Sequence, residues 1–322
     1  MTTYNSIDLV KFVMAICVVT IHTYIVDGMQ PSLASDLLHS LIRSAVPFFF
    51  ITSAYFVMGR MDYKGIVKYL KRILQLYISW SCIIFLCLCF LQQQFSVEKL
   101  GITIYQVLFN GYNVLWYLWG LLLGIPILFK IRVGGGGKKS LLLIMLGFSA
   151  YLFNRVYTHY GSMDNPGSIW SWAVFLYQGK FFNLTNLSLA VTYLSFGSYF
   201  AHTKYSSKLV LNIALILLGV FMMHFEVHKD VALGVPFIAL GLFPLVKDWV
   251  LNISWISFKW LRKMSTLIYF IHVIVIVAVD EFLPNMVALS RWSVIVVICI
   301  LLSALLLSLT RVKGMGWIAK LY

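Results

Sequence analysis

The chain has 322 residues, 61% of them hydrophobic and 11% charged, with a formal net charge of +14 and a mean hydropathy of +0.89. Water-soluble domains carry charge on about a quarter of their residues, so a soluble globule is excluded and a polytopic membrane protein is expected. The basic residues fall between apolar segments, where they set orientation, so nucleic-acid binding is not expected.

The first apolar stretch, 7–26, starts almost at the N-terminus with no basic leader or small-residue cleavage site, and is expected to stay in the mature protein. It carries Asp8, Lys11 and His22, and charge at membrane depth is costly enough to suggest a role. Lys11 and His22 are eleven positions apart, which on a helix is about three turns plus 20°, placing both on one face about 17 Å apart. Asp8, three residues before Lys11, is placed to pair with it. A plainer reading stands beside this one: a core histidine bonded to a carbonyl, and a lysine reaching for the interface.

Nine further apolar segments follow, at 38–58, 73–91, 113–129, 140–157, 185–201, 208–226, 231–246, 264–283 and 291–310. The expected fold is therefore all-α, a bundle of about ten transmembrane helices forming a single domain over residues 1–322. Asn154 and Arg155 interrupt one segment, and Pro236 and Pro244 punctuate another, so either is a candidate for a broken or tilted helix. Residues 60–72, with Arg60, Lys64, Lys68, Lys71 and Arg72, read as a basic loop. The glycine run Gly134 to Gly137 lacks a G-K-[ST] ending and reads as a flexible turn. Cys17, Cys82, Cys87, Cys89 and Cys299 all lie in apolar runs, which implies neither a disulfide framework nor a metal site.

With the N-terminus inside, eighteen of the twenty-five Lys and Arg lie on the inner side and five on the outer, with Lys11 and Arg43 within helices. That bias satisfies the positive-inside rule and predicts that both termini are cytoplasmic. Counting Ile169 to Phe182 as an eleventh span would move the later basic loops outside, so that stretch reads as an interfacial or re-entrant element. In this orientation His22 lies in the outer half of its helix and Arg43 near the outer end of the next, facing one outer cavity.

Ala45 to Phe56, AVPFFFITSAYF, resembles the second-helix run of the integral membrane acyltransferase 3 family. Lys11 and His22 are similar to that family's basic residue and histidine on the first helix, with Lys where many members have Arg. Lys71-Arg72 before Tyr77-Ile78-Ser79-Trp80, Leu115-Trp116-Tyr117-Leu118, and Ser265 to His272, STLIYFIH, resemble later motifs in the same order. Ala54 departs from the usual glycine. The resemblance runs from about residue 6 to 310 and implies transfer of an acyl group, usually acetyl, from cytoplasmic acyl-CoA to a hydroxyl of a cell-envelope or exported glycan. It implies a multi-pass protein of a bacterial-type inner or plasma membrane, with acyl-CoA and a carbohydrate acceptor as its partners besides the lipid bilayer.

The residues suit that task. A hydroxyl needs a base as it attacks, and neutral imidazole serves near neutral pH, which nominates His22. The carbonyl oxygen that becomes negative needs a nearby cation, for which Arg43 is the candidate; a structural ion pair with an outer acid is the alternative. Lys11 is placed to meet the donor, and Arg72 belongs to the basic surface suited to its polyanionic nucleotide end. Tyr269 and His272 are candidates for lining the donor path, and Glu226 for orienting the acceptor. His224, Glu226, His228 and Asp230 form HFEVHKD, whose histidines at i and i+4 have metal-ligand spacing but no evident third ligand, so no metal is expected.

The chain also resembles the membrane half of the serine racemases of vancomycin-resistance clusters, which implies a second function, amino-acid uptake. Stabilisation by CoA or by an amino acid separates the two.

Overall fold

A computed structural model describes the chain except residues 1–3, 27–28, 30–31, 61, 133–136, 162–182, 204 and 226–232. The described residues are all-α: α1 Asn5–Thr23, α2 Leu33–Arg43, α3 Ala45–Arg60, α4 Tyr63–Leu91, α5 Val97–Tyr105, α6 Trp116–Arg132, α7 Gly137–Gly161, α8 Leu184–Thr203, α9 Leu209–His224, α10 Val235–Asp248, α11 Phe258–Phe282 and α12 Ala288–Leu309. Six stretches among them are long and apolar enough to cross a membrane, namely 5–23, 34–59, 63–91, 97–130, 258–282 and 288–309, while 142–155 and 209–224 are shorter apolar helices. The protein is a multi-pass helical membrane protein.

Several boundaries differ from expectation. The segment expected over 38–58 is two helices that meet at Ser44. Pro47 has no amide to donate to the carbonyl four residues earlier, at Arg43, so the ladder is interrupted there; it resumes with the Phe48 amide on the Ser44 carbonyl, at 2.9 Å. Residues 63–72 are not a loop but the first turns of α4, capped by the Asp62 carboxylate on the Gly65 amide at 2.8 Å. Between the apolar segments 73–91 and 113–129 lie α5, capped by Ser96 on the Lys99 amide, and a π turn over Gln106–Asn110. Asn154 and Arg155 do not break α7: Asn154 is fully buried, and its amide donates to the Thr185 carbonyl at 3.1 Å and to Ser188 Oγ at 3.0 Å. Pro236 sits in the first turn of α10, where a missing amide costs nothing, and Pro244 lies within that helix. Ile169 to Phe182 and most of the glycine run lie outside the described residues.

Packing centres on two helices. α8 is buried on every side from Ala190 to Ser198 and packs among α3, α6 and α7. Its Gly197 meets α3 so closely that a Cβ would lie 2.2 Å from the Ile51 carbonyl oxygen and 2.8 Å from Ala54 Cβ; small residues let helix backbones approach in this way. The second centre is α11, which lies along α1 and also contacts α4 and α12. That pairing matters for chemistry, because α1 carries Lys11 and His22, and α11 carries Tyr269 and His272.

Candidate active site

A cavity of about 570 Å³ lies between α1, α3, α4, α6 and α11, at the end of α1 that carries Lys11. Four cations line it: Lys11 from α1, Arg72 from α4, and Arg262 and Lys263 from the start of α11. Phe49, Tyr69, Tyr117, Leu118, Leu121, Tyr269 and Phe270 also line it. Arg262 and Tyr269 are seven residues apart on α11, so the cavity spans at least about 10 Å along that helix, from cations to aromatics.

The aromatic part is held by hydrogen bonds. Tyr117 and Ser53 share one at 2.8 Å, and Phe50 meets the Tyr117 ring edge-on with centroids 4.7 Å apart. The Tyr269 hydroxyl donates to the Val114 carbonyl, and its ring packs edge-on against Tyr117 at 5.7 Å. Trp80 stacks on Phe270 at 4.8 Å and donates from Nε1 to the Leu321 carbonyl at 2.9 Å. The 3-10 turn Gly316–Leu321 and Tyr322 thereby close part of the wall: Arg72 Nη2 donates to the Tyr322 carbonyl at 2.7 Å, and Lys263 lies 5.1 Å from the Tyr322 ring centroid.

One turn beyond Tyr269, His272 lies beside His22, with ring centroids 5.2 Å apart and planes inclined by 37°. His272 is fully buried and its Nδ1 donates to the Tyr269 carbonyl at 2.6 Å. His22 is part-buried. The C-terminal end of α1 is tied to α12, since Trp292 Nε1 donates to Thr20 Oγ1 at 3.0 Å and Arg291 donates to the Thr23 carbonyl at 3.2 Å.

The site residues named from sequence thus fall in three places. Lys11, Arg72 and Tyr269 line the large cavity, whereas His272 is not among its lining residues and stands against His22. Arg43 lines a smaller cavity of about 220 Å³ with Thr20, Ile21, Tyr24, Val26, His39 and Ile42, and no hydrogen bond joins it to His22 among the described residues. Glu226, with His228 and Asp230, lies outside the described residues, while His224 Nδ1 lies 2.6 Å from Asp36 Oδ2 on α2. Among the described residues Arg262, and not Lys11, lies within ion-pair distance of Asp8, although Lys11 stays close enough to act on it electrostatically. The Asp8 carboxylate lies 3.7 Å from Arg262 on α11, because that helix packs along α1 and brings a guanidinium to it.

In sequence Arg262 and Lys263 carry only an orientation signal, because basic residues at helix starts serve that purpose in any membrane protein. A usable signal existed: Arg262, Ser265, Tyr269 and His272 recur at spacings of three and four, one stripe of a helix.

The profile of the acyltransferase domain family, of the acyltransferase 3 type, matches residues 4–310. The chain belongs to that family. An amino-acid racemase of Enterococcus faecalis is 26% identical to it over 342 aligned positions, covering 95% of this chain and 46% of the racemase. The chain therefore spans about half the length of that relative. No solved structure matches it. Within the acyltransferase 3 domain the motif segments converge: Phe49 and Ser53 on α3, Tyr117 on α6, and Ser265 and Tyr269 on α11 all line the cavity or touch a residue that does.

Proposed function

We propose that this acyltransferase moves an acyl group, acetyl in the first instance, from cytoplasmic acyl-CoA to a hydroxyl of a cell-envelope or exported glycan, working in a bacterial-type plasma membrane with both termini inside. The observation that carries this reading is the cavity that begins among Lys11, Arg72, Arg262 and Lys263 and extends along α11 to Tyr269, one turn short of the helix position that meets His22. Four cations suit a polyanionic nucleotide, and the aromatic wall suits the slender arm that carries the thioester.

His22 is the proposed base. As the acceptor oxygen attacks the thioester carbonyl carbon, His22 takes the hydroxyl proton. The tetrahedral intermediate then collapses, the C–S bond breaks, and the leaving thiolate recovers a proton from the imidazolium. Arg43 is the proposed cation for the developing oxyanion, reaching from the cavity beside Ile21 and Tyr24. Glu226 keeps its proposed place on the acceptor side. No metal has a role in this scheme.

Mass spectrometry of envelope glycans from cells with and without the gene tests the reading: a mass difference of one acyl group on a glycan is the expected result, and identical glycans under conditions of expression count against it. A second reading, amino-acid transport, draws on the similarity to the amino-acid racemase. Under it, thermal stabilisation of the purified protein would come from an amino acid and not from CoA or acetyl-CoA.

A further inference from the structure

A carbonyl oxygen only accepts hydrogen bonds, so the 2.6 Å contact between His272 Nδ1 and the Tyr269 carbonyl places the ring hydrogen on Nδ1. In the neutral ring Nε2 then holds the lone pair. That nitrogen is buried and has no hydrogen-bond partner among the described residues. A buried acceptor left unpaired carries its full desolvation cost, and such atoms are rare without a reason.

The titratable ring beside it is His22, with centroids 5.2 Å apart. Ring nitrogens lie about 1.1 Å from their centroid and a nitrogen-to-nitrogen hydrogen bond spans about 3 Å, so an in-line imidazole pair has centroids about 5 Å apart. The two rings therefore stand at hydrogen-bonding separation. His272 is locked by the Tyr269 carbonyl, whereas His22 is part-buried and makes no side-chain hydrogen bond among the described residues, so turning the His22 ring completes the contact. Hydrogen bonds between catalytic groups commonly tighten in this way when substrate binds.

We propose that His272 is a positioning residue whose Nε2 accepts the N–H of His22, leaving the opposite His22 nitrogen with the lone pair for the acceptor hydroxyl. The assignment rests on the reading of His22 as the base. Donation runs in one direction, from His22 to His272 and from His272 to the Tyr269 carbonyl. The carbonyl dipole at the end of the chain favours the imidazolium that forms when His22 takes the hydroxyl proton, and no proton passes on to His272. The role differs from lining the donor path, the expectation drawn for His272 from sequence, and agrees with its absence from the cavity wall.

The test reads His22 directly and needs no acceptor. Diethyl pyrocarbonate acylates the unprotonated nitrogen of imidazole, and its rate at His22 can be followed by mass spectrometry of the purified protein at mildly alkaline pH, where imidazole is neutral. His272→Phe keeps a ring but removes the acceptor, and should slow His22 modification roughly three- to tenfold, the range expected for one lost hydrogen bond. His272→Gln, whose side-chain oxygen accepts, should restore most of the rate. An unchanged rate in His272→Phe overturns the proposal; if that variant does not fold, an unchanged rate in His272→Asn, whose amide falls short of the position of Nε2, does so. The underlying reading fails separately, through a His22→Gln protein that still transfers acyl groups at the wild-type rate.

Discussion

Arg291 grips Asp280 through two nitrogens, with Nε 2.6 Å from one carboxylate oxygen and Nη2 2.8 Å from the other. The same guanidinium donates to the Thr23 carbonyl at 3.2 Å, so the pair ties the ends of α11 and α12 to the end of α1, one residue past His22. The Tyr24 backbone, in the left-handed region at φ 55°, ends α1 there. Asp280 is 46% exposed, and exposed ion pairs are worth about 0–1 kcal/mol to stability. Arg291→Ala should therefore shift the melting temperature by only a few degrees, while acyl transfer falls several-fold more than that change explains, because His22 loses its anchor. Arg291→Lys, which cannot make the two-nitrogen grip, should fall between. Parallel thermal melts and transfer assays check the separation.

For His22 itself, the expected loss in His22→Gln is at least about 10²-fold in transfer rate, the contribution usual for a positioned base. CoA should still raise the melting temperature of this variant, because the cations assigned to the donor lie elsewhere along α1, α4 and α11. Binding and chemistry would then separate in one protein.

The four cations of the cavity make donor binding dependent on salt. CoA affinity should decline as ionic strength rises, and Lys11→Ala or Arg262→Ala should each weaken it about tenfold, corresponding to about 1.4 kcal/mol for a lost charge-assisted contact. Lys11→Arg keeps the charge and should be tolerated. Isothermal titration across a salt series gives both numbers, and equal affinity in Lys11→Ala would remove that residue from the donor site.

Gly197 supplies a stability test away from the chemistry. A Cβ at this position meets the Ile51 carbonyl oxygen at 2.2 Å, a backbone atom that cannot swing aside, so Gly197→Ala should destabilise by about 1–3 kcal/mol through overpacking. Ala54→Gly, on the facing helix, removes one of the atoms that a new Cβ would strike but leaves the backbone contact, and should rescue the double variant only in part. Melting temperatures in detergent decide it.

Orientation can be probed on exposed positions. Val97 and Val250 are 82% and 78% exposed and lie in segments placed outside and inside by the distribution of basic residues. A cysteine at Val97 should react with a membrane-impermeant thiol reagent in intact cells, and one at Val250 only after the cells are opened.

Apolar composition, segment lengths and motif order were enough to establish from sequence a multi-pass helical protein of the acyltransferase 3 family, and the spacing of Lys11 and His22 along one helix followed from helix geometry alone. What sequence could not supply was which helix faces which. α1 is apolar around most of its circumference, so periodicity marks no single buried stripe on it, and the stripe on α11 does not say which helix it faces; residues 22 and 272 are related only through packing. Hence Asp8 finds Arg262 closer than its neighbour Lys11, and His22 finds His272. Helical residues three or four apart share a face because the backbone fixes them there. A pair 250 residues apart shares a site only because close packing of whole helices, through contacts such as Gly197 against Ile51, leaves one arrangement in which the backbones fit.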